Sequence, residues 1–159
     1  MIYKKTLTKE QALQKLRYYC RYQERCHKEV KEKLYELGVR KTDHDEIVAT
    51  LIEEGYLNEE RFALAYAAGK FRIKQWGRIK IKYELKQKGV SEYSIKKALK
   101  QIEEEEYLKT LKKLAEERYA SLKSEQYLVR KKKTMDYLVQ KGYEMELVIT
   151  TIGKIISDK

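Results

Sequence analysis

The chain has 159 residues, no proline, 38% charged side chains and a formal net charge of +11, with 42% hydrophobic residues that include 14 tyrosines. That length suits one domain or a compact array of small ones, and the apolar share excludes a wholly disordered chain despite the charge density. Abundant Lys, Glu, Leu and Gln with few glycines predict helices joined by short connections, and the basic excess predicts an anionic partner, nucleic acid first and an anionic membrane surface second.

In chain order, Thr8-Lys-Glu-Gln11 has the form of a capping box and predicts a first helix to about residue 24, with Leu13, Leu16 and Cys20 at helical spacing. A second helix is expected over about 27–37, carrying Val30, Leu34 and Leu37 and closed by a left-handed Gly38. Thr42 followed by Asp45 opens a third, with Ile47, Val48, Leu51 and Ile52 inside it and Gly55 at its end. Asn58 is the expected N-cap of the next helix, which runs through Phe62, Ala65, Tyr66 and Phe71. Gly77 to Lys88 form its successor, and Ser91 caps a helix carrying Ile95, Ala98, Leu99 and Ile102. After the acidic run at 103–106 come Leu108, Leu111, Leu114 and Ala115. No Gly, Pro or Asn interrupts residues 92–120, so this joint reads as one continuous helix with the glutamates spread around it, pairing with Lys109, Lys112 and Lys113. Ser124 is expected to open a long helix ending at Gly142, and a last helix runs from about Glu144 to Ser157.

One phrase recurs three times: a Leu four residues before a Gly, then aliphatic residues further on. It reads Leu34, Gly38, Val48, Leu51, then Leu85, Gly89, Leu99, Ile102, then Leu138, Gly142, Ile152, Ile155, with the glycines 51 and 53 residues apart. A fixed period of this length marks a tandem array of one supersecondary unit, and such arrays bind extended partners more often than they perform chemistry. The expected fold is all-α, three tandem three-helix repeats in an elongated, curved array, with repeats at 1–55, 56–105 and 106–159.

Basic residues gather where each middle helix begins: Arg25, His27, Lys28 and Lys31 in the first repeat, Lys74, Arg78, Lys80 and Lys82 in the second, and Arg130, Lys131, Lys132 and Lys133 in the third. Helix N-termini favour acids, each misplaced cation costing about a few tenths of a kcal/mol, so three repeats accepting that cost suggest a shared ligand-facing stripe. A solvated face of a Lys-rich protein is the plainer alternative. The second repeat is densest, with eight cations against Glu84 alone between Lys70 and Lys88. On its middle helix Ile81 and Leu85 share one side, while Trp76, Ile79 and Tyr83 lie nearly opposite, one face closing the core and the other free to dock on a neighbouring repeat. Arg78, Lys82 and Lys86 run between them. Trp76, beside Arg72, Lys74 and Arg78, suits stacking on an unpaired base, although packing is the commoner role of such a residue.

Motifs of catalysis and metal binding do not survive inspection. Gly69-Lys70 lacks the upstream Gly and following hydroxyl of a phosphate loop, since Leu64 and Phe71 hold those places. Cys20, Cys26, His27 and His44 fail zinc-ligand spacing, and Cys26-His27 is no haem attachment site. The expectation is a non-enzyme with no cofactor and no metal. No apolar run nears the roughly 20 residues of a membrane span, Met1-Ile-Tyr-Lys-Lys has no apolar stretch of a secretory leader, and two cysteines form no disulfide framework, so a cytoplasmic protein without membrane contact is expected.

Gly55-Tyr-Leu-Asn-Glu-Glu-Arg-Phe-Ala63 resembles the Gly-Tyr-Leu-Asp-Asp-x-Arg-Phe-Ala signature of the bacterial RecX regulatory proteins. Gly77-Arg-Ile-Lys-Ile81, Glu84-Leu85 and Lys88-Gly89-Val90-Ser91-Glu92 resemble that family's second-repeat pattern, and the family is likewise built of three tandem three-helix units. One departure is Cys26, where the family often has a Ser to cap the helix. Another is the third repeat, which matches mainly through its apolar frame. The resemblance implies a non-catalytic modulator, in the inhibitory direction, of the RecA recombinase, acting in recombination, DNA repair and the SOS response. It would act as a monomer lying along the groove of the RecA filament on single-stranded DNA, with duplex DNA a further partner. The expected contact residues are Lys70, Arg72, Lys74, Trp76, Arg78, Lys80, Lys82 and Lys86, with Arg25, Lys28 and Lys31 in the first repeat and Arg130, Lys131, Lys132 and Lys133 in the third. A helical DNA-binding protein independent of RecA, and a helical scaffold for an acidic protein, are the competing readings.

Overall fold

The computed structural model describes residues 7–158; the opening Met1-Ile-Tyr-Lys-Lys, on which the expectation of no secretory leader rests, lies outside them. Among the described residues there are nine α-helices and no strand: α1 (Lys9–Tyr22), α2 (His27–Glu36), α3 (Lys41–Glu53), α4 (Glu59–Lys74), α5 (Arg78–Gln87), α6 (Glu92–Lys100), α7 (Glu104–Ser121), α8 (Tyr127–Gln140) and α9 (Met145–Ser157). The fold is therefore an all-α repeat of three-helix units. None of these helices is long and apolar enough to cross a membrane.

The recurring Leu-to-Gly spacing has a local cause. Gly38, Gly89 and Gly142 have φ of 73°, 78° and 102°, and Gly55 shares this conformation. The residue after each glycine turns its N–H back to the leucine carbonyl: Val39 to Leu34 at 3.0 Å, Val90 to Leu85 at 3.1 Å, Tyr143 to Leu138 at 3.2 Å, and Tyr56 to Leu51 at 2.9 Å. This closure satisfies carbonyls orphaned at a helix end and needs a residue without Cβ at its pivot. Leu34, Leu51, Leu85 and Leu138 are all fully buried, so each helix end is also a core anchor.

Two compact units emerge, the first comprising residues up to Ala65 with Leu85–Ile95, the second Tyr66–Glu84 with Lys96 onward. In the first, α1, α2 and α3 pack pairwise around Leu13, Leu16, Val30, Leu34, Ile47 and Leu51. Thr8 and Gln11 form the predicted capping box, and Arg17 clamps Glu54 through two bonds of 2.8 Å. Glu59 accepts from the Ser91 N–H at 2.8 Å and from the Ser91 and Ser94 hydroxyls at 2.9 and 3.0 Å. Desolvation pushes the Glu59 carboxyl up, but these bonds together outweigh it and hold it below its ordinary value. In the second unit α7, α8 and α9 pack pairwise, and the fully buried rings of Tyr107 and Tyr143 lie 5.1 Å apart with Phe71 5.8 Å from Tyr107.

Several boundaries differ from expectation. The joint after the second repeat is broken: α6 ends at Lys100, tight turns bond Gln101 to Ala98 and Ile102 to Leu99, and Glu103 is extended as the N-cap of α7. Glu104, Glu105 and Glu106 then fill the first turn of α7, where carboxylates oppose the positive end of the helix dipole. The acidic run is thus a helix start, a signal the absence of Gly, Pro and Asn concealed. Helix α3 opens at Lys41 after Arg40, ahead of Thr42. Helix α8 opens three residues after Ser124, because the turn joining the Glu125 N–H to Leu122 O at 3.0 Å occupies that segment.

Candidate nucleic-acid interface

The second unit assembles its basic cluster from the exit of α4 upward. Helix α4 ends at Lys74, and Gln75 adopts φ of 57°, a left-handed conformation that costs a non-glycine residue roughly 1–2 kcal/mol. Three contacts hold this corner: the Tyr143 hydroxyl donates to Gln75 O at 2.9 Å, the Lys141 ammonium donates to Lys74 O at 2.8 Å, and the Trp76 N–H donates to Lys70 O at 3.2 Å. The next step is a close backbone crossing. The N–H groups of Gly77 and Ile79 donate to the carbonyls of Lys141 and Gly142 at 2.8 and 2.9 Å, and the Arg78 N–H donates to the Tyr107 hydroxyl at 3.0 Å. The start of α5 is therefore capped by groups from α7 and the α8–α9 turn, which take up the amides of Gly77, Arg78 and Ile79.

This corner fixes Trp76, half-buried, between two ammonium groups: Lys70 Nζ is 4.9 Å and Lys80 Nζ 4.6 Å from its ring. Such cation–π contacts hold charge near an aromatic face without neutralising it. Lys141 is the third-repeat contribution. Desolvation, followed by the charges of Lys80 and Lys74, pushes its pKa below the ordinary lysine value. Among the described residues no carboxylate pairs with Lys74 or Lys80. Like charges crowded in this way raise the energy of the free protein, and a bound anion relieves it. Beside them Arg72 is exposed, as are Ile73 (80%), Ile79 (54%) and Tyr83 (59%). Ile81 is buried as expected, whereas Ile79 and Tyr83 close no second apolar face.

The arginines expected in the stripe have internal partners. Arg78 pairs with Glu104 at 3.1 Å and Glu144 at 3.2 Å and stacks on Tyr107 at 3.8 Å. Arg130 stacks on Tyr119 at 3.5 Å and donates Nε to its carbonyl at 2.7 Å. Arg25 does the same with Tyr19, at 3.8 and 3.1 Å, in the first unit. Arg25 and Arg130 each use a planar guanidinium to bond a carbonyl near a helix end, a job a lysine does not do as well. Lys132 and Lys133 pair with Asp136 and Glu125 at 3.5 and 2.6 Å, while Lys131 is half-buried, as is Lys82. In the first unit Lys28 donates to Gln87 O at 3.1 Å, and with Lys31 it lines a recess that includes His27 and Lys88; Lys86 is exposed.

The other residues weighed for chemistry are structural. Cys20 and Cys26 are buried free thiols, and Cys26 stands at the N-cap of α2, its N–H donating to Glu29 at 3.0 Å. His44 is buried, donates Nε2 to Val39 O at 3.0 Å and meets the Tyr35 ring edge-on at 4.7 Å. Among the described residues no group of three His, Cys, Asp or Glu could hold a metal ion. Lys141 escaped sequence reasoning because it lies in another repeat; its one signal is the Lys-Gly pair it shares with Lys88-Gly89.

The family model for the second three-helix domain of RecX matches residues 58–99, and that for the third matches residues 104–151. The Regulatory protein RecX of Bacillus cytotoxicus is 27% identical over 141 residues, covering 89% of this chain and 52% of that protein, so the chain spans about half the length of the curated relative it matches. A crystal structure of regulatory protein RecX shares the fold with TM-score 0.84 at 24% identity, covering 92% of this chain and 71% of the other. The crystal structure of RecX from Lactobacillus salivarius shares it with TM-score 0.82 at 24% identity, covering 92% and 95%.

Proposed function

This chain belongs to the RecX family of regulatory proteins, and on that premise we propose that it is a non-catalytic inhibitor of RecA that binds along the RecA filament on single-stranded DNA. The Trp76 cluster makes the anionic contact. The observation that carries this reading is the crowding of Lys74, Lys80 and Lys141 without a carboxylate to pair Lys74 or Lys80, around an indole held by Lys70 and Lys80. Phosphates relieve the repulsion, and the exposed Ile73, Ile79 and Tyr83 add apolar contact area. A repeat protein engages a filament through several modest contacts on one body, which multiply into high avidity without a deep pocket.

The test is the Lys74→Glu/Lys80→Glu variant, which spares Arg78 because its loss would break the Glu104 and Glu144 pairs. RecA is assembled on single-stranded DNA, and ATP hydrolysis and filament occupancy are followed as each protein is added. The unsubstituted chain lowers both; the variant, with unchanged helicity, lowers neither. On naked single strands the slope of log affinity against log salt falls by about 0.7 for each phosphate the variant no longer neutralises. Undiminished inhibition by the variant refutes the assignment of the site. Tight duplex binding with no effect on RecA establishes the RecA-independent reading instead.

A further inference from the structure

The first unit holds a feature that plays no part in that reading. Helices α1 and α2 border an open groove of about 550 Å³ whose lining includes Lys15, Tyr18, Tyr19, Tyr22, Arg25 and Lys33, three tyrosines and three cations with no carboxylate. The volume lies within the roughly 300–1,000 Å³ of small-ligand clefts. The buried stripe of α1 is Ala12, Leu13, Leu16 and Cys20, so the core makes no use of Tyr18 and Tyr22, which are 72% and 74% exposed one helical turn apart. Tyr19 is the half-buried member. The Arg25 guanidinium lies 3.8 Å from its ring and is fixed there by the bond to Tyr19 O, while Lys33 Nζ is 5.5 Å from the same ring. Two acids act on its residues, Glu36 at 3.5 Å from Lys33 and Glu29, whose charge acts on Tyr19; both stand outside the lining.

Open aromatic faces alternating with cations select a particular ligand. An acidic peptide satisfies the lysines but leaves the tyrosine faces in water, and a duplex hides its base faces inside its own stack. A single strand offers both phosphates and unpaired π-faces at successive positions, and stacking on aromatic side chains tolerates any base. We infer that this groove is a second, self-contained binding site for single-stranded nucleic acid, with unpaired bases stacking on Tyr18 and Tyr22 and phosphates meeting Lys15, Arg25 and Lys33. Arg25 brings its charge already positioned, so binding requires no ordering of that side chain.

The chain has a single tryptophan, which permits a clean reporter. In the full-length protein, Trp76→Phe removes the indole of the other site and Tyr22→Trp installs one at the groove. The probe is a short oligodeoxythymidylate, compared with an abasic strand of equal length and with polyglutamate. The oligodeoxythymidylate should quench the new indole and bind about ten-fold more tightly than the abasic strand, and adding Tyr18→Ala should weaken it by about ten-fold. In the unsubstituted chain the same oligonucleotide should protect Tyr18 and Tyr22 from iodination, a readout independent of any variant's folding. Absence of quenching and protection overturns the inference, as does equal affinity for the abasic strand or for polyglutamate. Lys74→Glu/Lys80→Glu leaves this signal intact, so failure at the groove and failure of the RecA assignment are separately visible.

Discussion

Gly77→Ala should be far more damaging than an exchange of hydrogen for methyl ordinarily is. A Cβ on Gly77 would stand 2.3 Å from both the carbonyl carbon and oxygen of Gly142 and 2.5 Å from the Tyr143 nitrogen, all backbone atoms with no rotamer to escape into. The two segments must separate by about 1 Å to reach ordinary contact distance, which breaks the bonds from Gly77 to Lys141 O and from Ile79 to Gly142 O. Two bonds at about 1 kcal/mol each, with roughly 1–3 kcal/mol for overpacking, give a loss of about 3–5 kcal/mol. That is a large part of the roughly 5–15 kcal/mol that holds a typical domain folded. Gly69 and Gly153 supply the contrast: both are helical, and an added Cβ meets nothing within 4 Å. Alanine at either should stabilise by about 0.5–1 kcal/mol, by restricting the unfolded chain and raising helix propensity. Urea unfolding followed by Trp76 fluorescence and circular dichroism measures all three. Gly77→Ala within about 1 kcal/mol of the unsubstituted chain, or Gly69→Ala as harmful as Gly77→Ala, would refute the close-crossing argument.

The Tyr107 hydroxyl accepts from the Arg78 N–H at 3.0 Å and donates to Glu144, so Tyr107→Phe should cost about 1–3 kcal/mol in urea unfolding, and an unchanged midpoint would count against that role. Glu59 has a folded pKa below its ordinary 4.5, so its stabilisation is present above about pH 4.5 and lost as pH falls through the folded value; Glu59→Gln should flatten this acid limb, and parallel acid limbs would show the carboxylate bonds to be idle. Burial is the main force pushing the Cys20 thiol up to about 11 and raising that of Cys26, so a disulfide reagent should label neither at neutral pH until denaturant is added; rapid labelling of the folded chain would contradict their burial.

Much of the architecture was legible because its causes are local. Leu34-to-Gly38 and its two later copies encode a helix closure completed by the very next residue, so reading them along the chain was enough to find the repeats and most helix ends. Asn58 and Ser91 were legible as caps for the same reason, and the Arg61 and Ser94 N–H groups do point to their side chains, at 2.9 and 3.4 Å. The break at 101–103 was missed because the deciding preference was acids for a first turn, a weaker signal than a glycine. Among the basic residues, Arg25, Arg78 and Arg130 looked like members of one stripe, but Arg78 and Arg130 are committed to Tyr107 and Tyr119, and Arg25 is held on Tyr19 in the lining of the α1–α2 groove.

By itself, then, the amino-acid order determined an all-α chain of three-helix repeats with a basic excess and a dense cationic segment around Trp76, since propensity, capping and periodicity act over a few residues. Only tertiary structure decided which cations are spent and which stand together. Lys141 reaches Lys74 across a separation of 67 residues, Gly77 must meet Gly142, and the Tyr18–Tyr22 face stays open because α1 packs through Ala12, Leu13, Leu16 and Cys20. Charge repulsion and close packing depend on distance in space, and no local pattern carries that distance.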